Sequence, residues 1–140
     1  MHTMDTPSRT VTLASWFCQL LAAGILLQTL FFKFSAAEES VHIFSTLGLE
    51  PVGRIGSGIA ELIASVLLLI PATAAVGALL AMGIMAGAIV SHLTILGIEV
   101  KGDGGLLFGL ALTVLVCAAV VLVLRRSHLP VVGRLLGATS

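Results

Sequence analysis

Residues 72–98 read ATAAVGALLAMGIMAGAIVSHLTILGI, without an aspartate, glutamate, lysine or arginine. A helix needs roughly 20 apolar residues to cross the ~30 Å hydrocarbon core of a bilayer. This stretch is therefore long enough to span by itself. A helix is the form expected, because lipid offers no partners for open backbone groups. A barrel strand would alternate apolar and polar residues. VLLLI at 66–70 and VLVCAAVVLVL at 114–124 do not alternate.

Working outward, Pro71-Ala72-Thr73-Ala74 is a tight uncharged turn, and before it Val52 to Ile70 forms a second apolar run whose charges are Arg54 and Glu61. On the other side, Gly105 to Leu124 is uncharged and stops at Arg125-Arg126. At the start of the chain, Val11 to Phe34 carries no charge between Thr12 and Phe32. A cleaved signal peptide has a shorter apolar core than this, so an uncleaved span is expected there. The predicted fold is all-α: an integral membrane antiparallel four-helix bundle over residues 11–125. Its spans run at about 11–34, 52–70, 72–98 and 105–124, with tails 1–10 and 126–140.

Composition agrees. Of the 140 residues 58% are hydrophobic and 10% charged, and the mean hydropathy is +1.15. Soluble domains carry about 25% charged residues, so much of this surface must face something apolar, and membrane lipid is the expected partner. Net charge is zero and no basic run occurs, which argues against nucleic acid as a partner. Cys18 and Cys117 are far apart in apolar runs, a pattern of neither a disulfide framework nor a zinc site. They fall at similar depth, and thiols in such surroundings are unreactive. No HExxH is present, nor a nucleophile with an evident base, so no metal or catalytic residue is assigned. Gly53-Arg-Ile-Gly-Ser-Gly58 follows no strand and lacks the spacing of a phosphate loop.

Arg9, Arg125, Arg126 and Arg134 lie in the tails, against Asp5. Glu38, Glu39 and Glu50 outnumber Lys33 in the first loop, and the third loop holds Glu99, Lys101 and Asp103. The positive-inside rule then puts both termini in the cytoplasm. Within the first loop, Ser35-Ala-Ala-Glu38 reads as a capping box. Val41, Phe44 and Leu47 follow at helical spacing, and Gly48 is a helix stop. A short amphipathic helix is expected, either a connector or a lid over an outward-facing pocket.

Glu61 is the most informative residue. A charge at bilayer depth costs about 2.5–3.5 kcal/mol on insertion scales. Arg54, Ser57, Glu61 and Ser65 share one helical face, which is expected to point inward. Two readings of Glu61 stand: a fold-locking glutamate held by a lysine or hydroxyls, or a ligand, proton or quinone site. Gln28, Lys33, Arg54, Glu61 and His92 all fall in the outer half of the bundle, with His92 about two turns from the end of its span. Lys33 and Arg54 are near the interface, where snorkelling is ordinary. Gly83-Ile-Met-Ala-Gly87 is a GxxxG pattern, and Gly105, Gly109, Thr113 and Cys117 recur every fourth residue. Both stripes are expected to pack helices closely, within the bundle or between copies in a homo-oligomer. The inner half reads as nearly inert.

The chain resembles the DoxX-like family of small bacterial four-span membrane proteins. The resemblance runs from span one to span four. It is carried by Gly56-Ser-Gly-Ile-Ala-Glu61 leading into a leucine-rich run that ends at Pro71, by Phe32-Lys33-Phe34 ahead of Leu47-Gly-Leu-Glu-Pro51, and by Gly87-Ala-Ile-Val-Ser-His92-Leu. The family takes its name from a subunit of a membrane thiosulfate:quinone oxidoreductase. The resemblance implies a multi-pass protein of the bacterial inner membrane, the membrane subunit of a quinone-linked redox system rather than a stand-alone enzyme. No cofactor is evident from the residues; most members of the family have no assigned activity, and through its redox-linked relatives the resemblance makes a quinone the candidate cofactor, a redox protein the candidate partner, and Lys33, Glu61 and His92 the family-like polar residues. Two other functions stay open: a non-enzymatic assembly or stress-response factor, and a small proton-coupled transporter.

Overall fold

The structure is a computed structural model describing residues 8–128; Asp5 and Arg134 of the tails lie outside the described residues. Helix α1 (Arg9–Phe34) begins where the Ser8 hydroxyl accepts from the Val11 N–H at 3.2 Å. It ends in a reversal through Ala36, at φ +53°. The short helix α2 (Glu38–Thr46) follows. The expected capping box does not form. Glu38 is already the first helical residue, Ala37 is the N-cap, and the Ser35 hydroxyl turns back to the Phe32 carbonyl. At the other end Gly48 takes φ +73°, which lets the Leu49 N–H reach the Phe44 carbonyl at 2.8 Å and close the helix.

Helix α3 (Val52–Leu69) leads through a 3₁₀ turn at Pro71–Thr73 into α4 (Ala74–Ser91). The turn needs no charged residue because the Thr73 hydroxyl donates to the Leu67 carbonyl at 3.0 Å, an end group that lipid would leave unpaired. A π-helical turn, His92–Leu96, continues α4 and stops at Gly97, where φ is +82°. The third span therefore ends two residues sooner than expected, and His92 opens its last turn rather than lying two turns deep. Helix α5 (Leu106–Leu124) begins after Gly105, held at φ +86°.

Helices α1, α3, α4 and α5 close a ring, with α1 and α4 each packed against both α3 and α5. Among the described residues, four segments are long and apolar enough to cross a membrane: Arg9–Phe34, Val52–Leu69, Pro71–Leu96 and Leu106–Leu124. The distribution of side chains makes the same point independently. The interior is built on small residues, among them Ala22, Ala23, Ala64, Ala74, Ala78, Ala81 and Ala118. The large apolar side chains face out, as at Phe17, Phe31, Leu79, Val90 and Val116. A water-soluble bundle would reverse that order; helices in lipid associate through small residues that let backbones approach.

Two helix backbones approach closely at Gly77, where a Cβ would lie 2.7 Å from the Leu68 nitrogen and 3.0 Å from the Ala64 carbonyl oxygen. Gly58 is closed by the Phe34 ring at 2.7 Å. By contrast, a Cβ at Gly83, Gly87 or Gly109 meets nothing within 4 Å. Gly83, Gly87 and Gly109 are therefore not where the helices of the bundle touch, whereas Cys117 of the second stripe is buried in the core. Gly105 serves a turn through its positive φ.

Candidate functional site

The polar face predicted on the second span does turn inward: Arg54, Glu61 and Ser65 are buried and Ser57 half-buried. Glu61 is 2% exposed and accepts from the Lys33 ammonium of α1, forming an ion pair between the two helices. Thr29, one turn before Lys33, sets its hydroxyl 3.4 Å from the second Glu61 oxygen and 2.9 Å from the Leu26 carbonyl. The Lys33 ammonium also lies 5.8 Å from the centre of the Phe44 ring, supplied by α2. Arg54 belongs to a neighbouring arrangement. It donates to both Glu50 oxygens, at 2.8 and 3.0 Å, and to the Lys33 carbonyl, covering the open end of α1.

Beside the Lys33–Glu61 pair is a cavity of about 630 Å³. Its walls are mostly apolar: Ile25, Leu26 and Phe32 from α1, Ile84, Met85 and Ala88 from α4, and Leu107, Leu110 and Ala111 from α5. Ser40, Ile43 and Phe44 of α2, with Leu47 just after it, line one side; of the predicted stripe Phe44 and Leu47 reach the cavity, and Val41 is half-buried outside it. Gly83 and Gly87 line it too, so the missing side chains of the GxxxG pattern leave room in the cavity. Of the predicted polar cluster, Gln28, Lys33, Glu61 and His92 all reach this cavity. Gln28 stays exposed, and Arg54 is not part of the lining.

His92 is 6% exposed, with its ring edge-on to Phe108 at 5.6 Å. Its Nδ1 donates to the Gly97 carbonyl at 2.9 Å, a contact made possible by the wide π turn between them. The loop after Gly97 is held by Asp103, whose Oδ1 accepts from the N–H groups of Val100 and Gly105 at 3.0 and 2.8 Å while Oδ2 accepts from Leu107 at 3.2 Å. This loop ties down α2 as well, through Lys101 and Glu38 at 3.0 Å. The Lys101 contact lowers the Glu38 pKa.

Burial alone would push the Asp103 carboxyl up, but its three N–H donors outweigh that and hold it below the usual aspartate value. A depressed folded pKa means that the stabilisation is complete above the unfolded value and lost as pH falls through the folded one. Asp103→Ala is accordingly expected to cost about 1–2 kcal/mol at neutral pH, the scale of a lost helix cap. In thermal unfolding, the gap between wild type and variant is expected to close as pH falls below about 4, the ordinary aspartate range.

The opposite end of the bundle is not inert. Gln19, fully buried, donates to the Leu68 carbonyl at 2.6 Å and accepts from Ser15 at 2.7 Å and from Arg125 at 2.8 Å. Arg125 also donates to Ser15 at 2.8 Å and lies over the Trp16 ring. The signal was available in the sequence, since Ser15 and Gln19 are four apart on one face of an apolar span. Cys18 and Cys117 interact between α1 and α5 as free thiols. No family model, curated protein or solved structure matches the chain significantly.

Proposed function

We propose that this chain is a multi-pass membrane protein that binds an amphipathic, quinone-like small molecule, serving as the membrane subunit of a redox system as its DoxX-like resemblance implies. The observation that carries the reading is the cavity of about 630 Å³ with apolar walls and a buried Lys33–Glu61 pair at its side. Small-molecule sites fall in the range of about 300–1,000 Å³ and combine apolar walls with a few fixed polar groups. The four long helices run alternately up and down, and the amphipathic helix α2 lies over the cavity mouth. Arg9, Arg125 and Arg126 mark the cytoplasmic side, which sets the cavity in the outer half of the inner membrane.

The test uses the full chain in nanodiscs with decylubiquinone as probe. Saturable binding is expected, weakened about tenfold or more (at least 1.4 kcal/mol) by Gly87→Phe, which fills the cavity from an open position. Non-saturable partition into the bilayer, the same for wild type and Gly87→Phe, would remove the reading. An assembly factor or a transporter has no comparable observation in its favour.

A further inference from the structure

The hydrogen bond between His92 and Gly97 leaves one ring nitrogen to account for. A carbonyl oxygen only accepts, so Nδ1 carries the proton in that 2.9 Å contact. In a neutral imidazole Nε2 is then a lone-pair acceptor. Nε2 has no hydrogen-bond partner among the described residues. No wholly enclosed side-chain nitrogen or oxygen among them lacks a partner, so Nε2 keeps accessible surface. His92 as a whole is more than nine-tenths buried, and it lines the cavity. Of the other polar groups in the lining, Lys33 and Glu61 are engaged with each other, the Ser91 hydroxyl with the Gly87 carbonyl and Asp103 with three backbone N–H groups, while Gln28 and Glu39 are exposed rather than buried. Ser40 on α2 adds a buried hydroxyl to the lining, free to donate or accept.

We infer that His92 Nε2 is a ligand-binding acceptor and that the cavity selects amphipathic molecules bearing a hydroxyl, such as phenols and quinols, over the same molecules without a donatable hydrogen. This rests on the ligand-binding reading above and refines it. A ligand hydroxyl donates to Nε2, while a carbonyl or ether oxygen at that place would confront a second lone pair. The π turn matters because it brings the Gly97 carbonyl to Nδ1 and so fixes which nitrogen faces the cavity.

The experiment compares 4-nonylphenol with its methyl ether, 4-nonylanisole, on the full chain in nanodiscs at about pH 8, where an ordinary imidazole is neutral. The phenol is expected to bind about tenfold more tightly, the scale of one buried hydrogen bond. His92→Phe is expected to reduce that ratio to about twofold or less. The wild-type comparison stands even if the variant folds poorly. Equal affinity for phenol and ether in wild type, with both lost in Gly87→Phe, overturns the role of His92 and leaves the cavity as a binding site. Tighter binding of the ether, or a ratio unchanged in a folded His92→Phe, overturns it as well. No saturable binding of either probe overturns the hydroxyl selection, and if decylubiquinone binding is also non-saturable the ligand-binding reading falls with it.

Discussion

Lys33→Met is expected to destabilise the protein by about 3–5 kcal/mol, because it leaves the Glu61 carboxylate buried without its cation. The two partners are not equivalent. Glu61 is 2% exposed, whereas the Lys33 side chain is 16% exposed and near the end of α1. An unpaired Lys33 can swing its ammonium toward the interface, and an unpaired Glu61 has no such route. Glu61→Gln is therefore expected to cost less, about 1–2 kcal/mol, the scale of a weakened buried hydrogen bond. The double substitution Lys33→Met with Glu61→Leu is expected to recover most of the loss, since replacing both members of a buried pair by apolar groups is often close to neutral. Reversible unfolding in bicelles measures all four proteins. A Lys33→Met cost below that of Glu61→Gln would show that the pair is solvated rather than buried.

The second large effect is expected at Gly77. A side chain there meets backbone, with Leu68 nitrogen at 2.7 Å and Ala64 oxygen at 3.0 Å, as well as the Leu67 Cβ at 2.8 Å. Neither backbone group can turn aside, so α3 and α4 must separate. Gly77→Leu is expected to cost about 3 kcal/mol, at the upper end of ordinary overpacking. Gly58→Ala is milder, because the atom in the way belongs to the Phe34 ring, which can rotate. Gly83→Ala has open space before it and is expected to be neutral or stabilising by up to about 1 kcal/mol through helix propensity. The order Gly77, Gly58, Gly83 is checked in the same unfolding assay, and a Gly83→Ala loss larger than that of Gly77→Leu would contradict the packing described here.

The helical spans were legible because uncharged runs of this length have few other uses. Their ends were less so. The third span stops at Leu96 because Gly97 takes a positive φ and the last turn widens to a π turn, and hydropathy alone continues smoothly to Ile98. The inward face of Arg54, Ser57, Glu61 and Ser65 was legible from helical spacing, and the same reasoning applied to Ser15 and Gln19 would have found the network around Arg125. The glycines were misleading for a physical reason. A glycine leaves room, but the sequence does not say whether a neighbouring helix or a cavity takes it. Gly77 admits α3, whereas Gly83 and Gly87 border the cavity. The Ser35 capping box failed because Ala36 adopts the left-handed conformation and delays the helix start to Glu38.

Ligand binding in the cavity is tested most directly by photolabelling the full chain in nanodiscs with a decylquinone that carries a diazirine on its ring. Labels are expected on cavity residues such as Phe44, Met85 and Leu110, competed by decylubiquinone and lost in Gly87→Phe. Labels confined to outward-facing residues such as Phe17, Leu79 and Val116, unaffected by competitor or by Gly87→Phe, would contradict it.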